Sequence, residues 1–373
     1  MCGASLRPPA GVRGVAPGTC RRVVQRWAAM ETMPAVVYVG DGAIEVRQVE
    51  IPEIGEGQVR IAVSHCGICG TDLHMVLEQM GRPGSGLGHE WAGTIAAVGP
   101  GVTGWAVGDR VVAGPTPGCG TCRACRRGRP SVCLNRPTAP EATGHRGAFA
   151  PYTSVVADRL LRIPDSLSTR AAALTEPTAV ALHAVSLAGV TPDDRVLVTG
   201  AGPVGMLVTA VLYAQGVHDI TVSEPAETRR ERVLAVGARR AVTPGELPPA
   251  SRGARVAEPY SVVFECSGRG SAAEAGLDQL DYAGTLVFVG TSMEYPRVNH
   301  NRAIIFESTI IGAFNYDAEG FGPALDLLAS GRMPLEALIE PVDVLLDGLF
   351  DVMLRCAAGD VPGKVMIRPE VSS

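Results

Sequence analysis

The stretch His65–His74, His-Cys-Gly-Ile-Cys-Gly-Thr-Asp-Leu-His, places a thiolate, a hydroxyl and an imidazole within one short turn. Its chemistry needs partners from elsewhere, and three later segments offer them: Gly88-His89-Glu90, the cluster Cys119, Cys122, Cys125 and Cys133, and the run Gly200-Ala-Gly-Pro-Val-Gly205. The four cysteines, spaced Cys-x2-Cys-x2-Cys-x7-Cys, are the most specific metal signal. Four thiolates close in sequence complete a tetrahedral zinc shell and leave no position for a substrate, so they predict a structural zinc. Such a site keeps excess negative charge, and Arg123, Arg126, Arg127 and Arg129 lie in the same loop to offset it.

The glycine pattern Gly200-x-Gly202-x-x-Gly205 is weak by itself, but it follows the apolar run Arg195–Thr199 and opens a helical pattern. In that setting the glycines allow a tight turn, close approach to a pyrophosphate and helix-on-strand packing. Pro203 and Val204 open the helix whose N-terminus faces the anion. Glu224, nineteen residues past Gly205, stands where a carboxylate binds the adenosine ribose hydroxyls of NAD. Arg229 and Arg230 stand close enough in sequence to reach a 2′-phosphate, which keeps NADP open.

The elements that must position these groups fall into two blocks. From Ala35 short β-like runs follow one another, Ala35–Val39, Ile44–Val49, Gln58–Val63, Thr94–Val98, Arg110–Ala113 and Phe149–Val156, separated by Gly-, Pro- and Asp-bearing turns. They predict a compact barrel-like domain. After a helical stretch through Thr178–Leu187, strands alternate with helices: Arg195–Thr199, Pro203–Gln215, Ile220–Ser223, Glu227–Val236, Ser261–Cys266, Thr285–Val289 and Thr309–Phe314. That alternation predicts a doubly wound parallel sheet. A helix over Phe321–Ser330 and a strand near Val365–Arg368 close the chain.

Composition sets the outer bounds. At about 100–200 residues per domain, 373 residues make two domains. A hydrophobic share of 46% with 19% charged residues reads as a soluble globular protein. The net charge of -5 gives no electrostatic reason for a nucleic-acid or membrane partner, and no apolar run reaches the ~18 residues of a spanning helix. Six of the ten cysteines sit in two close-spaced groups, which favours metal ligation in a reducing cytoplasm over a disulfide framework. Residues 1–32 are Arg-rich, nearly free of acids and without a helical pattern, and they read as a disordered extension with Met30 or Met33 as the true first residue.

Together, and in this order, the segments from Ala35 to Pro369 resemble the zinc-dependent medium-chain alcohol dehydrogenase family. The resemblance implies an α/β architecture: a GroES-like β-barrel catalytic domain over 33–177 with a structural zinc lobe at 113–137, a Rossmann doubly wound parallel sheet over 178–315, and a return to the catalytic domain over 316–373. It also implies a second, catalytic zinc, hence two per chain. Cys69 and His89 match its first two ligands, Cys66 matches a packing position, and Glu90 matches an acid that can exchange onto the metal. For the third ligand, Glu176-Pro177 resembles the sorbitol and butanediol dehydrogenase branch; without the resemblance, Glu176 reads as an ordinary helix-start acid. His183 matches a core histidine. Thr71 matches the hydroxyl that passes the alcohol proton through the nicotinamide ribose towards His74, while zinc acts as Lewis acid and nicotinamide C4 takes the hydride.

The expected protein is a cytoplasmic, zinc-dependent, NAD-linked oxidoreductase that interconverts a secondary alcohol or polyol and the ketone, working as a homodimer or homotetramer. One rival is a biosynthetic ketone reductase using NADPH. Another is a non-catalytic nucleotide-binding regulatory protein with an inert zinc site, which the presence of every residue needed for turnover disfavours.

Overall fold

The computed structural model describes residues 31–115, 118–135, 147–251, 254–292 and 294–371. The expectation for residues 1–30 lies outside them. The first strand starts at Thr32, ahead of the apolar run itself, and Met33 is fully buried.

Fifteen strands are described: β1 (Thr32–Gly40), β2 (Ala43–Glu50), β3 (Gln58–Gly67), β4 (Glu90–Val98), β5 (Arg110–Ala113), β6 (Tyr152–Val156), β7 (Leu160–Arg162), β8 (Arg195–Thr199), β9 (Asp219–Ser223), β10 (Arg240–Val242), β11 (Tyr260–Glu265), β12 (Leu280–Phe288), β13 (Thr309–Gly312), β14 (Val344–Leu345) and β15 (Met366–Arg368). β3 is the spine of the first block. It pairs antiparallel with β4, β6 and β15 inside a sheet ordered β14-β15-β3-β4-β5-β7, and the β1–β2 hairpin stands as a separate two-stranded sheet.

The second block is a six-stranded, wholly parallel sheet ordered β10-β9-β8-β11-β12-β13. Its central strands are continuous apolar runs because helices cover both faces: Val196, Leu197 and Val198 of β8 are all fully buried. The helix Pro203–Ala214 is apolar almost all round and buries every residue from Gly205 to Leu212. Strand order reverses between β8 and β11, and that switch point opens the crevice in which such sheets bind ligands.

The tail returns to the first block. The helix Leu349–Ala358 buries Leu349, Val352 and Met353, one face at helical spacing, and β15 then pairs with the end of β3, Met366 opposite Gly67 and Ile367 opposite Cys66. The helix Thr175–Ala188 runs unbroken through the domain boundary expected at 177/178, so one rigid rod joins the two blocks. Among the described residues no helix is long and apolar enough to cross a membrane.

Candidate active site

The antiparallel ladder between β3 and β4 ends with Gly67 opposite Glu90, and the chain just beyond that last pair holds Cys69 on one side and His89 on the other. Residues far apart in sequence thus come into contact. One donor atom each from Cys69, His89 and Glu90 lies within 4.8 Å of the others. Asp72 locks the arrangement: its carboxylate accepts from Cys69 N at 3.0 Å and from Gly88 N at 3.1 Å, and it lies 3.7 Å from His89 Nδ1. Gly88 has φ +87, and a Cβ there would press within 2.8 Å of Phe149 N, so glycine is required one residue before His89.

Glu176 enters the same cleft from the second position of its helix and is hydrogen-bonded by the Tyr316 hydroxyl. Burial, and then the negative charge of Glu90, push its carboxyl up to about 7 against the pull of His89, Lys364 and Tyr316. Burial by itself would lower the His89 imidazole, but the Cys69 thiol together with the charges of Asp72 and Glu176 raise it well above its usual range. A thiolate, an imidazole and carboxylates crowded at one point are what a divalent cation relieves, and the donor set fits zinc. Glu90 has a further partner, since both of its carboxylate oxygens accept from Lys364 Nζ at 2.7 Å. Cys66 is fully buried, its thiol pushed up first by burial, and it is a packing residue as expected.

Thr71 and His74 both line the cleft one helical turn apart, on the helix Gly70–Leu77, with His74 Nδ1 2.9 Å from Glu78. The cleft, about 790 Å³, runs from the Cys69–His89 cluster to the Gly202-Pro203-Val204 turn. A Cβ on Gly202 would meet no protein atom within 4 Å, whereas one on Gly205 would fall 1.9 Å from the Gly200 carbonyl. The first glycine leaves room for a ligand, and the second lets helix meet strand; both suit a dinucleotide pyrophosphate. The opposite lip, Cys266–Arg269, is held by the Glu265 carboxylate, which accepts from Ser267 N at 2.8 Å and Gly268 N at 3.0 Å.

Glu224 sits at the end of β9 as expected, with its oxygens accepting from Ala201 N at 2.7 Å and Ala226 N at 2.9 Å. Arg229 donates to the Val361 carbonyl across the domain boundary and does not line the cleft. Arg230 folds over the carbonyls of Glu224 and Pro225 instead.

The Sγ atoms of Cys119, Cys122, Cys125 and Cys133 all lie within 4.8 Å of one another, a closed shell that fits zinc. Backbone N–H groups of Cys119, Cys122 and Cys125 donate to neighbouring sulfurs at 3.3 to 3.5 Å, so the chain itself stabilises the thiolate charge. The expectation that four arginines share this task needs correcting for Arg129, which is drawn away by Asp317 at 2.9 Å and by His183 at 3.1 Å. Asp317 also accepts from Ser131 N, so the lobe is riveted to the helix carrying Glu176 and to the residue after Tyr316. His183 is nearly buried; burial, then the Arg129 charge, lower its pKa, as suits a structural histidine.

Sequence reasoning assigns no role to Asp72, Arg159, Tyr316 or Lys364, all of which the fold brings to the ligand cluster or its cleft. Lys364 carries a signal, being the single lysine of the chain. For Arg159 and Tyr316 no local pattern marks the position.

Comparison with known proteins gives a consistent picture. Residues 55–165 match the family described as alcohol dehydrogenase GroES-like domain, and residues 203–330 match zinc-binding dehydrogenase. The chain is 36% identical over 321 residues to L-threonine 3-dehydrogenase of Pyrococcus horikoshii, covering 84% of this chain and 90% of the relative. It is 32% identical over 326 residues to sorbitol dehydrogenase of Bacillus subtilis, covering 83% and 89%. Among solved structures, galactitol-1-phosphate dehydrogenase of Escherichia coli superposes with a TM-score of 0.80 at 27% identity, over 90% of this chain and all of that one.

Proposed function

The chain belongs to the zinc-dependent medium-chain alcohol dehydrogenase family, and from that premise we propose that it interconverts a secondary alcohol or polyol and the corresponding ketone with a nicotinamide cofactor. The observation that carries this reading is one continuous cleft, with the Cys69–His89 donor cluster at one end and the Gly202 turn at the other. The similar proteins named above act on secondary alcohols of different kinds: threonine, sorbitol and galactitol 1-phosphate.

Bound zinc would supply a Lewis acid for the substrate oxygen, and the cofactor a hydride acceptor. The chain's own residues do the rest. Cys69, His89 and Glu176 would hold the metal, with Asp72 orienting the first two through Cys69 N and Gly88 N. Thr71 would take up the hydroxyl proton while releasing its own, and His74 would carry a proton outward; this role is supported by both residues lining the cleft, where a dry site needs such a route. The balance is one hydride from the carbinol carbon and one proton from its oxygen, leaving a ketone.

NAD is the proposed cofactor, supported by the fixed Glu224 carboxylate at the end of β9. The Arg230 guanidinium beside it favours a second reading, an NADPH-dependent ketone reductase. A cytoplasmic setting is supported by six of the ten cysteines falling in two close-spaced groups suited to metal ligation, not to a disulfide framework. Self-association is supported by β13, a sheet-edge strand with Ile310 exposed, flanked by exposed Ile304, Ile305 and Phe314. The test is absorbance of the reduced nicotinamide across a panel of secondary alcohols and ketones, with NAD and with NADP, before and after zinc removal. Absence of zinc-dependent turnover with either cofactor refutes the reading; better use of NADPH overturns only the NAD assignment.

A further inference from the structure

We propose that Glu265 is the positioning residue of the nucleotide crevice: by gathering the N–H groups of Ser267 and Gly268 onto a buried carboxylate, it holds the lip that the nicotinamide half of the cofactor would meet. The inference rests on the dehydrogenase reading above and concerns a residue to which that reading gives no role. Glu265 ends β11, where it pairs with Thr199 of β8 on one side and Phe288 of β12 on the other. It thus stands at the switch point of the parallel sheet, and it is only 2% exposed.

Its side chain and its carbonyl both serve loops that line the cleft. Oε1 accepts from Ser267 N at 2.8 Å, from Ser267 Oγ at 2.5 Å and from Gly268 N at 3.0 Å, and Oε2 accepts from Gly268 N at 3.2 Å. The main-chain carbonyl accepts from Val289 N at 2.8 Å and from Gly290 N at 2.9 Å. The loops Cys266–Arg269 and Val289–Ser292 line the same cleft as Cys69 and His89, so one residue keys both of them. Among the described residues no basic side chain pairs with this carboxylate, and burial raises its pKa above the ordinary range against the pull of the Ser267 and Gly268 donors. A buried carboxylate without a cation is a costly way to fill space, where an apolar side chain would pack at less cost. What the carboxylate alone provides is a fixed backbone at 267 and 268.

The same bonds decide which part of a cofactor the lip suits. Cys266 N donates to the Thr199 carbonyl, Ser267 N and Gly268 N to Glu265, and Arg269 N to Ser267 Oγ. With its four backbone N–H groups spent, the lip has none to offer a phosphate, and the charge beneath it repels one. What it can offer are carbonyl acceptors, which suit the ribose hydroxyls and the carboxamide of the nicotinamide half. The pyrophosphate falls to the Gly202 turn, and Glu224, placed for the adenosine ribose, does not line this cleft. The lip therefore bears on the nicotinamide half and leaves the adenosine half alone.

The experiment is calorimetry on the zinc-loaded wild type, Glu265→Leu and Glu265→Gln. It measures Kd for the tighter of NADH and NADPH and for the matching adenosine half, AMP or 2′-phospho-AMP. Glu265→Leu should weaken the whole cofactor about tenfold or more, because a freed lip regains backbone entropy that binding must then remove, and should leave the adenosine half within about twofold. Glu265→Gln keeps one acceptor oxygen and should fall between the wild type and Glu265→Leu. The KM for the cofactor should rise in step with Kd while zinc content stays at the wild-type level. An unchanged ratio of the two affinities, whether both fall together or neither moves, overturns the proposal while the dehydrogenase reading stands. A wild type that binds neither reduced cofactor strikes that reading instead. Should Glu265→Leu not fold, the ratio in Glu265→Gln decides by the same criterion.

Discussion

Lys364 Nζ lies 2.7 Å from each carboxylate oxygen of Glu90, and the two side chains are only 3% and 1% exposed. The only lysine of the chain is therefore spent inside the protein, on the acid that stands directly after His89. A third bond from Lys364 Nζ reaches the Ile68 carbonyl, one residue before Cys69. The tail of the chain thus fixes both ends of the ligand cluster.

Breaking such a pair from one side leaves a buried charge without its partner. Lys364→Met should destabilise the protein by about 3–5 kcal/mol, and Glu90→Gln combined with Lys364→Met by clearly less. Chemical denaturation of the two variants and the wild type measures this; additive losses would show that the two groups do not depend on one another.

The zinc lobe should stabilise the fold and stay out of the chemistry. Cys122→Ser should lower the melting temperature by roughly 10 °C while nucleotide binding by the Rossmann block persists. Because Asp317 ties Arg129 and Ser131 N of this lobe to the residue after Tyr316, turnover should fall as well. Metal analysis finding a single zinc in a fully active chain would sink the assignment.

Asp343 gives a pH signature away from both metal sites. Burial raises its pKa, but Arg170 Nε at 2.7 Å and His65 Nε2 at 3.1 Å outweigh burial and hold the carboxyl below its ordinary range. A depressed folded-state pKa adds stability above the ordinary carboxylate range and loses it as the pH falls through the folded value. Asp343→Asn should therefore cost about 1–2 kcal/mol at neutral pH, with the gap to wild type closing near pH ~3. Melting curves at both pH values check it, and a gap that persists in acid would refute the role.

The parts written in local pattern are legible in the sequence alone: the helix Glu227–Val236 and the strand Arg195–Thr199 lie where periodicity puts them, and the four cysteines close in space because they are close in sequence. Registers are not legible. Nothing local says that Gly67 pairs with Glu90, yet that pairing brings Cys69 to His89. Arg159, Tyr316 and Lys364 reach the cleft from three distant segments, and only the tertiary fold makes them neighbours. The short strands β7, β10 and β14 go unread as well, two or three residues holding too little alternation, whereas the equally short β15 falls on the strand expected near Val365–Arg368.

Two carboxylates compete to be the third zinc donor at the site. Glu90 lies within the 4.8 Å cluster with Cys69 and His89, while Glu176 lines the same cleft outside that cluster. Lys364 decides between them: with both oxygens of Glu90 on a buried ammonium, ligation by Glu90 would break that pair, and Glu176 gives up only the Tyr316 hydroxyl. Glu176→Ala should accordingly lose the zinc held by Cys69 and His89 and lower turnover by about a thousandfold or more, leaving the four-thiolate zinc and nucleotide binding in place. Glu90→Gln should keep its zinc. Zinc content, NAD affinity and turnover of the two variants, measured side by side, separate the possibilities. Full zinc occupancy with near-normal turnover in Glu176→Ala would show that Glu176 is only a helix-start acid, and zinc loss confined to Glu90→Gln would move the ligand role to Glu90.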